Sequence, residues 1–558
     1  MLGIIITWLI NLTCAIQNGW RRLLRRRVDY VRIELSGVLP EFAVGLRWWQ
    51  RRFLGAQEPA SLHKLRRMLQ RIAADPQASG VLLKIDGLAA GWATLQSLRS
   101  ELAHFRASGK RVVAYLLTPD MAGYYAACAA DEILIPPSAF LTITGLRAEV
   151  QFLKDALAKV GLAAEVEAVS PYKSAGEMFV RSDISPENRE QLERLLDLRF
   201  AEIVGAIGAG RGVTADEARA AIDAAPLSAQ AARERGLVDG LCYEDELAPR
   251  FKTGEREPTI ENWDTAKRAL RLPMARWQRK LVAVVQVEGM ITTGSSRSLP
   301  IPIPLIGGQQ AGADSVAQAL RQVERNRRVA AVVLYVNSRG GDAFASDLMW
   351  REVLRVRKSK PLVVAMGDAA ASGGYYIAAP ASAIVAQPGT LTGSIGVVSL
   401  RPIAAGLLER AGVNTVVLSR GAHSGVFSIS QPPSEDERHA LRDLIFTSYA
   451  EFKQRVCEGR EISAERLEPI AGGRVWLGQE ALDLGLVDQL GGLPEALIKA
   501  QELAELPRDR DAPILLARGR GELPPQPFPA GAGLLELWPL LEDALKPRIL
   551  AMLPFDGI

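Results

Sequence analysis

Short apolar, β-branched runs alternate along most of the chain with longer stretches whose apolar residues recur at helical spacing. "AVVLYVN" (331–337) and "LVVAMG" (362–367) are continuous apolar runs, the pattern of strands buried on both faces. "ADSVAQALRQVERN" (313–326) and "FASDLMWREVLRVRK" (344–358) each carry one apolar stripe and predict helices. This alternation predicts an α/β fold, a mostly parallel sheet with helices packed around it.

The pattern is written twice. "VLLKIDGLAAG" (81–91) lies beside "VVLYVNSRGGD" (332–342), and "KRVVAYLL" (110–117) beside "KPLVVAMG" (360–367). "AGYYAACAADEIL" (122–134) matches "GGYYIAAPASAIV" (373–385), with Tyr124 and Tyr375 offset by 251 positions (375 − 124). "ERGLVDGL" (234–241) and "DLGLVDQL" (483–490) close the two copies. The chain therefore divides into a first repeat (29–249), a charged, turn-rich linker (250–279), a second repeat (280–505) and a tail (506–558). In the tail, "LLELWPLLEDALKPRILAML" (534–553) predicts a docked terminal helix.

Residues 1–28 differ in character. An apolar run from Leu2 to Ile16 is followed by arginines from Arg21 to Arg27. The run is shorter than the roughly 17–25 residues that span a bilayer. It predicts a short membrane anchor with Trp8 and Trp20 at the interface; an amphipathic interfacial segment is the alternative. Composition adds exclusions: a net charge of +4 on 558 residues, with no basic stripe, gives nucleic acid no purchase. Four cysteines and four histidines, all scattered, supply neither a disulfide framework nor a metal centre, and no cofactor motif occurs.

The two copies disagree at glycine-rich strand ends. Ser372 falls opposite Met121, Gly340 and Gly341 opposite Ala89 and Ala90, and Ser394 opposite Ile143. One mismatch runs the other way: Lys173, in "SPYKSAGEMF" (170–179), falls opposite Ser424. A serine hydroxyl is a weak nucleophile until a base takes its proton. A lysine amine serves as that base only if burial lowers its pKa from about 10.4, and the small and apolar neighbours of Lys173 suit such burial. Ser372 follows a strand and opens a small-residue helix. Glycines 340, 341, 373 and 374 let backbone amides approach a substrate carbonyl, and two such donors make an oxyanion hole. Each feature alone is commonly a tight turn, a packing device or a solvated lysine. Their complementarity across the copies points to one site.

"VNSRGGD", "AASGGYYIAAPA" and "PGTLTGSIGV" resemble the signal peptide peptidase A family, serine–lysine proteases of the ClpP/crotonase superfamily. The resemblance covers roughly residues 30–495 and is to the long, duplicated form. The short form carries its lysine in a "GAHK" stretch, where this chain has "GAHS" (421–424); the long form is similar in taking it from the first repeat, here Lys173. The resemblance implies two tandem ClpP/crotonase-like repeats behind an N-terminal membrane anchor. It implies Ser372 as nucleophile, Lys173 as general base reaching across the repeat boundary, Gly341 and Gly373 as the oxyanion hole with Gly340 in support, and Ser394 orienting the amine. Arg339 stands where the family more often has proline. Also implied are homo-oligomers, often tetramers, and an apolar groove for extended peptides such as cleaved signal peptides. The resemblance puts the catalytic domains on the outer side of the cell membrane, single-pass or peripheral, whereas Arg21 to Arg27 by the positive-inside rule favour the cytoplasmic side. The expected activity is that of an anchored serine endopeptidase. A serine–histidine hydrolase using His423 and a catalytically silent peptide-binding scaffold are the alternatives; a crotonase-type acyl-CoA enzyme would leave the serine and lysine without a task.

Overall fold

The apolar runs of the first repeat form a six-stranded sheet in a computed structural model. Its order is Gly240–Leu241, Glu132–Ile135, Arg111–Thr118, Gly80–Ala89, Tyr30–Val38 and Ile260–Asn262, with every neighbouring pair parallel. Strands such as "VVAYLL" are apolar on both faces because both faces are covered, with Val81, Leu83, Val112 and Ala114 in one core and Leu82, Val113 and Tyr115 in another. The structure describes residues 2–23, 27–43, 60–252, 256–274, 278–299, 308–519 and 548–552.

Two compact units divide the chain: Met1–Leu146 with Asp197–Arg279, and Arg147–Leu196 with Lys280–Ile558. The second unit holds two sheets. One runs Val475–Leu477, Leu391–Gly393, Leu362–Ala371, Val329–Ser338, Leu281–Glu288, Ile514–Ala517, and is parallel except at Val475–Leu477. The other runs Arg297–Leu299, Gly308–Gly312, Met290–Thr292, Gly340–Asp342, Arg548–Met552, Val398–Ile403, Ala163–Ala168.

Residues 147–196 lie in the first repeat by sequence and in the second unit in space. Strand pairing and burial draw them there. Ala163–Ala168 pairs antiparallel with Val398–Ile403, from Val398 opposite Ala168 to Ile403 opposite Ala163. Arg401 bonds Glu165 at 2.5 Å, and Arg438 and Arg442 hold Glu165 and Glu167 at 2.7 and 2.6 Å. Leu195 is buried with Ala369, Ala371, Leu391, Val475 and Leu477. The lysine-bearing segment is thus anchored at both ends within the unit that carries Ser372.

At the C-terminus the expected helix over 534–553 is not what forms at its described end. Residues Arg548–Met552 are a strand lying between Gly340–Asp342 and Val398–Ile403, antiparallel to both. The rest of that prediction lies outside the described residues. A strand forms because the slot offers two edges of unpaired backbone groups, and one extended segment satisfies both.

The N-terminal segment is a helix, Leu2–Leu23. Among the described residues no helix is long and apolar enough to cross a membrane. Thr7, Asn11 and Thr13 interrupt the apolar run, and Gln17 and Asn18 follow it. Asn18 exchanges hydrogen bonds of 3.1 and 2.7 Å with the backbone of Leu272. Trp8, Leu9, Ile16 and Trp20 are exposed. Part of the basic flank, 24–26, lies outside the described residues.

Truncating the fully buried Leu195 tests the anchoring of the lysine segment. Leu195→Ala is expected to destabilise the second unit by about 2–5 kcal/mol, read as a lower denaturant midpoint for the transition that exposes it.

Candidate active site

Strand Leu362–Ala371 ends in the core, and the chain must turn at once to enter the helix Gly373–Ala378. Ser372 makes that turn at φ 54°, ψ −115°. A positive φ is uncommon for a residue with a Cβ and costs on the order of 1–3 kcal/mol. It is held by two bonds, from its N–H to the Gly393 carbonyl and from the Tyr376 N–H to its own carbonyl, both 2.8 Å. Ser372 is 0% exposed.

Lys173 lies beside it, 1% exposed. Its Nζ is 2.7 Å from Ser372 Oγ, 3.0 Å from Ser394 Oγ and 3.0 Å from the Ser394 carbonyl oxygen. Burial pushes the amine well below the ordinary lysine value, and burial is the one cause acting on it. Ser394 is fully buried at φ 50°, its N–H donating to the Arg474 carbonyl at 2.7 Å. The Ser372 hydroxyl has one further acceptor within reach, the Gly396 carbonyl at 3.4 Å.

Two glycines that the sequence reading did not single out shape the lysine's channel. A Cβ on Gly473 would lie 2.7 Å from Lys173 Cβ and 2.9 Å from its Cδ. One on Gly396 would lie 3.4 Å from Cδ. Gly396 lies within the quoted "PGTLTGSIGV", and the signal for Gly473 was the glycine pair of "AGG" (471–473). Ser170 secures the loop by donating from its Oγ to the Gly472 carbonyl.

The other expected residues are nearby in the fold. Gly340, at φ +100°, donates its N–H to Ser338 Oγ at 3.1 Å. Gly341, at φ +156°, pairs with Ile291, and a Cβ there would sit 2.1 Å from the Ile291 carbonyl oxygen. Gly373 is the first residue of the helix after Ser372. Gly374 proves to be a packing glycine, since its Cβ would lie 2.7 Å from the Ser338 carbonyl. Arg339 is largely covered, burial lowering its pKa and Asp368 raising it. His423 is exposed, and none of the partners of the Ser372 hydroxyl is a histidine. Among the described residues no cluster of histidine, cysteine, aspartate and glutamate could hold a metal.

Two parallel-sheet repeats, with a buried serine from the second beside a buried amine from the first, define a duplicated ClpP-like fold. The sequence profile of Peptidase family S49 matches residues 104–256 and 355–507, and that of Clp protease matches 306–387. "Serine protease SPPA, chloroplastic" of Arabidopsis thaliana is 32% identical over 475 residues, covering 83% of this chain and 69% of that one. "Protease 4" of Haemophilus influenzae is 32% identical over 460 residues (79% of this chain, 72% of that one). "Protease 4" of Salmonella typhi is 30% identical over 460 residues (80% and 72%). The chain belongs to peptidase family S49, with two tandem repeats of that family, and is a serine-type peptidase.

The channel makes a prediction of its own. Gly473→Ala should displace the lysine stem and lower kcat/KM on a peptide substrate by about tenfold or more, since small misplacements of reacting groups cost that much. An unchanged kcat/KM would mean that the stem's position is unimportant.

Proposed function

We propose that this peptidase works through Ser372 and Lys173, with Ser372 as nucleophile and Lys173 as general base. The observation that carries the reading is the 2.7 Å contact between a buried hydroxyl and a buried amine whose pKa burial alone depresses. A neutral amine has two N–H groups and one lone pair. The two N–H groups are matched by Ser394 Oγ and the Ser394 carbonyl, which turns the lone pair toward the Ser372 proton. Ser394 is thereby the orienting partner.

In the reaction, Ser372 Oγ attacks the scissile carbonyl while Lys173 takes its proton. The N–H groups of Gly341 and Gly373 stabilise the oxyanion, and Gly340 sets the path of the backbone into Gly341. Lys173 returns the proton to the leaving amine, and water then cleaves the acyl ester. Extended apolar peptides, cleaved signal peptides among them, are the substrate class; a relative from Enterococcus faecium carries the description "Putative signal peptide peptidase SppA". Support for extended binding comes from the strand Arg548–Met552, which occupies the slot between Gly340–Asp342 and Val398–Ile403 by main-chain pairing. Ala551 lies opposite Gly341 in that slot. The helix Leu2–Leu23, with its exposed tryptophans and leucines, would hold the enzyme at a membrane surface.

Ser372→Ala and Lys173→Met should each lower kcat on an apolar peptide by about 10³-fold or more. Lys173 must be neutral to act, so kcat/KM should rise with pH and level off below the ordinary lysine range. The sign for stability follows from the same shift. The unfolded chain holds a proton on this lysine up to about pH 10.4, whereas burial makes the folded chain release it at lower pH, so folding becomes less favourable as pH falls through that interval. Lys173→Met should therefore be inactive and more stable than the parent at neutral pH. An inactive but less stable variant would point to a structural lysine.

The occupied slot predicts competition. A chain ending at Pro547 should show a higher kcat/KM than the full chain, a tenfold rise corresponding to about 90% occupancy of the slot. A synthetic peptide of residues 546–556 should inhibit the shortened enzyme competitively.

A further inference from the structure

The strand Val475–Leu477 ends its sheet, paired on one side with Leu391–Gly393 and, among the described residues, with no strand on the other. An edge residue leaves its outward N–H and C=O without ladder partners. At Val475 side chains of the helix Pro186–Arg211 take both. Its N–H donates to Gln191 Oε1 at 2.8 Å, and its C=O accepts from the Arg194 guanidinium at 2.5 Å. Gln191 and Arg194 are three residues apart and so share one face of the helix. Arg194 is fixed in turn by Glu480 and by the Trp476 ring, whose centroid lies 4.8 Å away.

Val475 stands next to the residues that set the site. It lies opposite Gly393, whose carbonyl accepts the Ser372 N–H at 2.8 Å. One residue earlier, the Arg474 carbonyl accepts the Ser394 N–H at 2.7 Å. Ser394 in turn accepts two hydrogen bonds from the Lys173 amine. Lys173 precedes Gln191 by 18 residues (191 − 173) in the same segment. The contacts therefore close a ring, from Lys173 along its own segment to Gln191 and Arg194, across Val475 to Gly393 and Ser394, and back to the amine.

Two observations set this clamp apart from incidental packing. Gln191 is 3% exposed, and its Nε2 has no hydrogen-bond partner. An unpaired buried amide costs about 1–3 kcal/mol, so the glutamine serves here through its acceptor. The second observation comes from the other copy. There Phe140 pairs with Ser228 as Leu391 pairs with Leu477, an offset of 249 on this strand (477 − 228). That offset carries Val475 onto Pro226 (475 − 249), which has no N–H to donate. The offset of 251 carries Gln191 onto Arg442 and Arg194 onto Ile445, and neither side chain is an acceptor. Donor and acceptor are thus divided between the repeats as the serine and the lysine are.

We infer that Gln191 and Arg194 are positioning residues for the Ser372–Lys173 pair, holding the lysine-bearing segment to the strand edge that sets Ser372 and Ser394. They act through the backbone of Val475 and touch none of the reacting atoms. The inference rests on the proposed roles of Ser372 and Lys173. Without the clamp the segment draws away from the edge, the amine loses its alignment with the hydroxyl, and water reaches the amine.

The test is steady-state hydrolysis of an apolar peptide by the full chain across pH, beside thermal melting. Gln191→Leu deletes the acceptor together with its unpaired amide, so it should fold and melt close to the parent. Its kcat should fall about tenfold or more, and the rising limb of kcat/KM should move to higher pH, because a wetter amine holds its proton longer. Arg194→Met should change both in the same direction. Gln191→Glu should recover most of kcat, since a carboxyl group in either protonation state offers Val475 an acceptor. A folded Gln191→Leu with the parent's kcat and limb would overturn the inference. So would a loss of activity that follows a lowered melting temperature with the limb unmoved, or a Gln191→Glu as slow as Gln191→Leu. Ser372→Ala and Lys173→Met, measured alongside, separate the two claims. Activity in either removes the dyad and the clamp's task with it; loss in both beside a fully active Gln191→Leu removes the clamp alone.

Discussion

An amine buried without a carboxylate beside it is the constraint around which the second unit is arranged. A lone ammonium is so costly to remove from water that the group gives up its proton instead. The hydrogen-bond partners of the Lys173 amine are consistent with a neutral amine: two serine hydroxyls and a carbonyl. A single carboxylate in that pocket would restore the charge and with it the ordinary lysine pKa. The chemistry therefore rests on what is kept out as much as on what is placed there. Ser372 at positive φ and Gly473 against the lysine stem are local costs of bringing the two groups together.

The duplication separates scaffold from chemistry. Tyr124 and Tyr375, equivalent by offset, donate to the carbonyls of Leu237 and Leu486 at 2.7 and 2.9 Å. Asp239 and Asp488 each accept from a strand N–H, that of Ile133 and that of Ile384, at 2.7 Å. Arg211 and Arg460 pair with those aspartates in turn. These contacts hold a helix and a turn to a parallel sheet, and both copies need them. The serine, the glycine pair and the lysine have no equivalents at the matching positions of the other copy.

That difference explains what could be read from the chain. Strands, helices and the repeat follow from local periodicity, and Ser372 and Lys173 stood out because each has an inert equivalent, Met121 and Ser424. Other features depend on pairings between distant segments. Gly473 matters only because Lys173 crosses it, 300 residues away in sequence (473 − 173). Residues 147–196 read as part of the first repeat because periodicity is blind to which sheet a strand joins. Arg548–Met552 lies in a stretch whose apolar spacing is helical, and it forms a strand because two open edges await it. At the N-terminus, hydropathy found the apolar run, which forms a helix; among the described residues no helix is long and apolar enough to cross a membrane.

Recognition by strand addition, as proposed, would have a consequence for the range of substrates. The two edges of the slot read backbone, which every extended peptide presents, so affinity gained there is nearly independent of sequence. A folded protein cannot offer such a segment without first unfolding it, and a helical peptide must unwind. A slot used in this way would select for chain that is already extended and free. On the proposed mode of binding, discrimination among such chains would fall to the side chains next to Gly341 and Ser372, where a polar or charged side chain without a partner would be costly. The proposed preference for apolar peptides would then arise from what the site fails to solvate rather than from any residue that recognises a particular sequence.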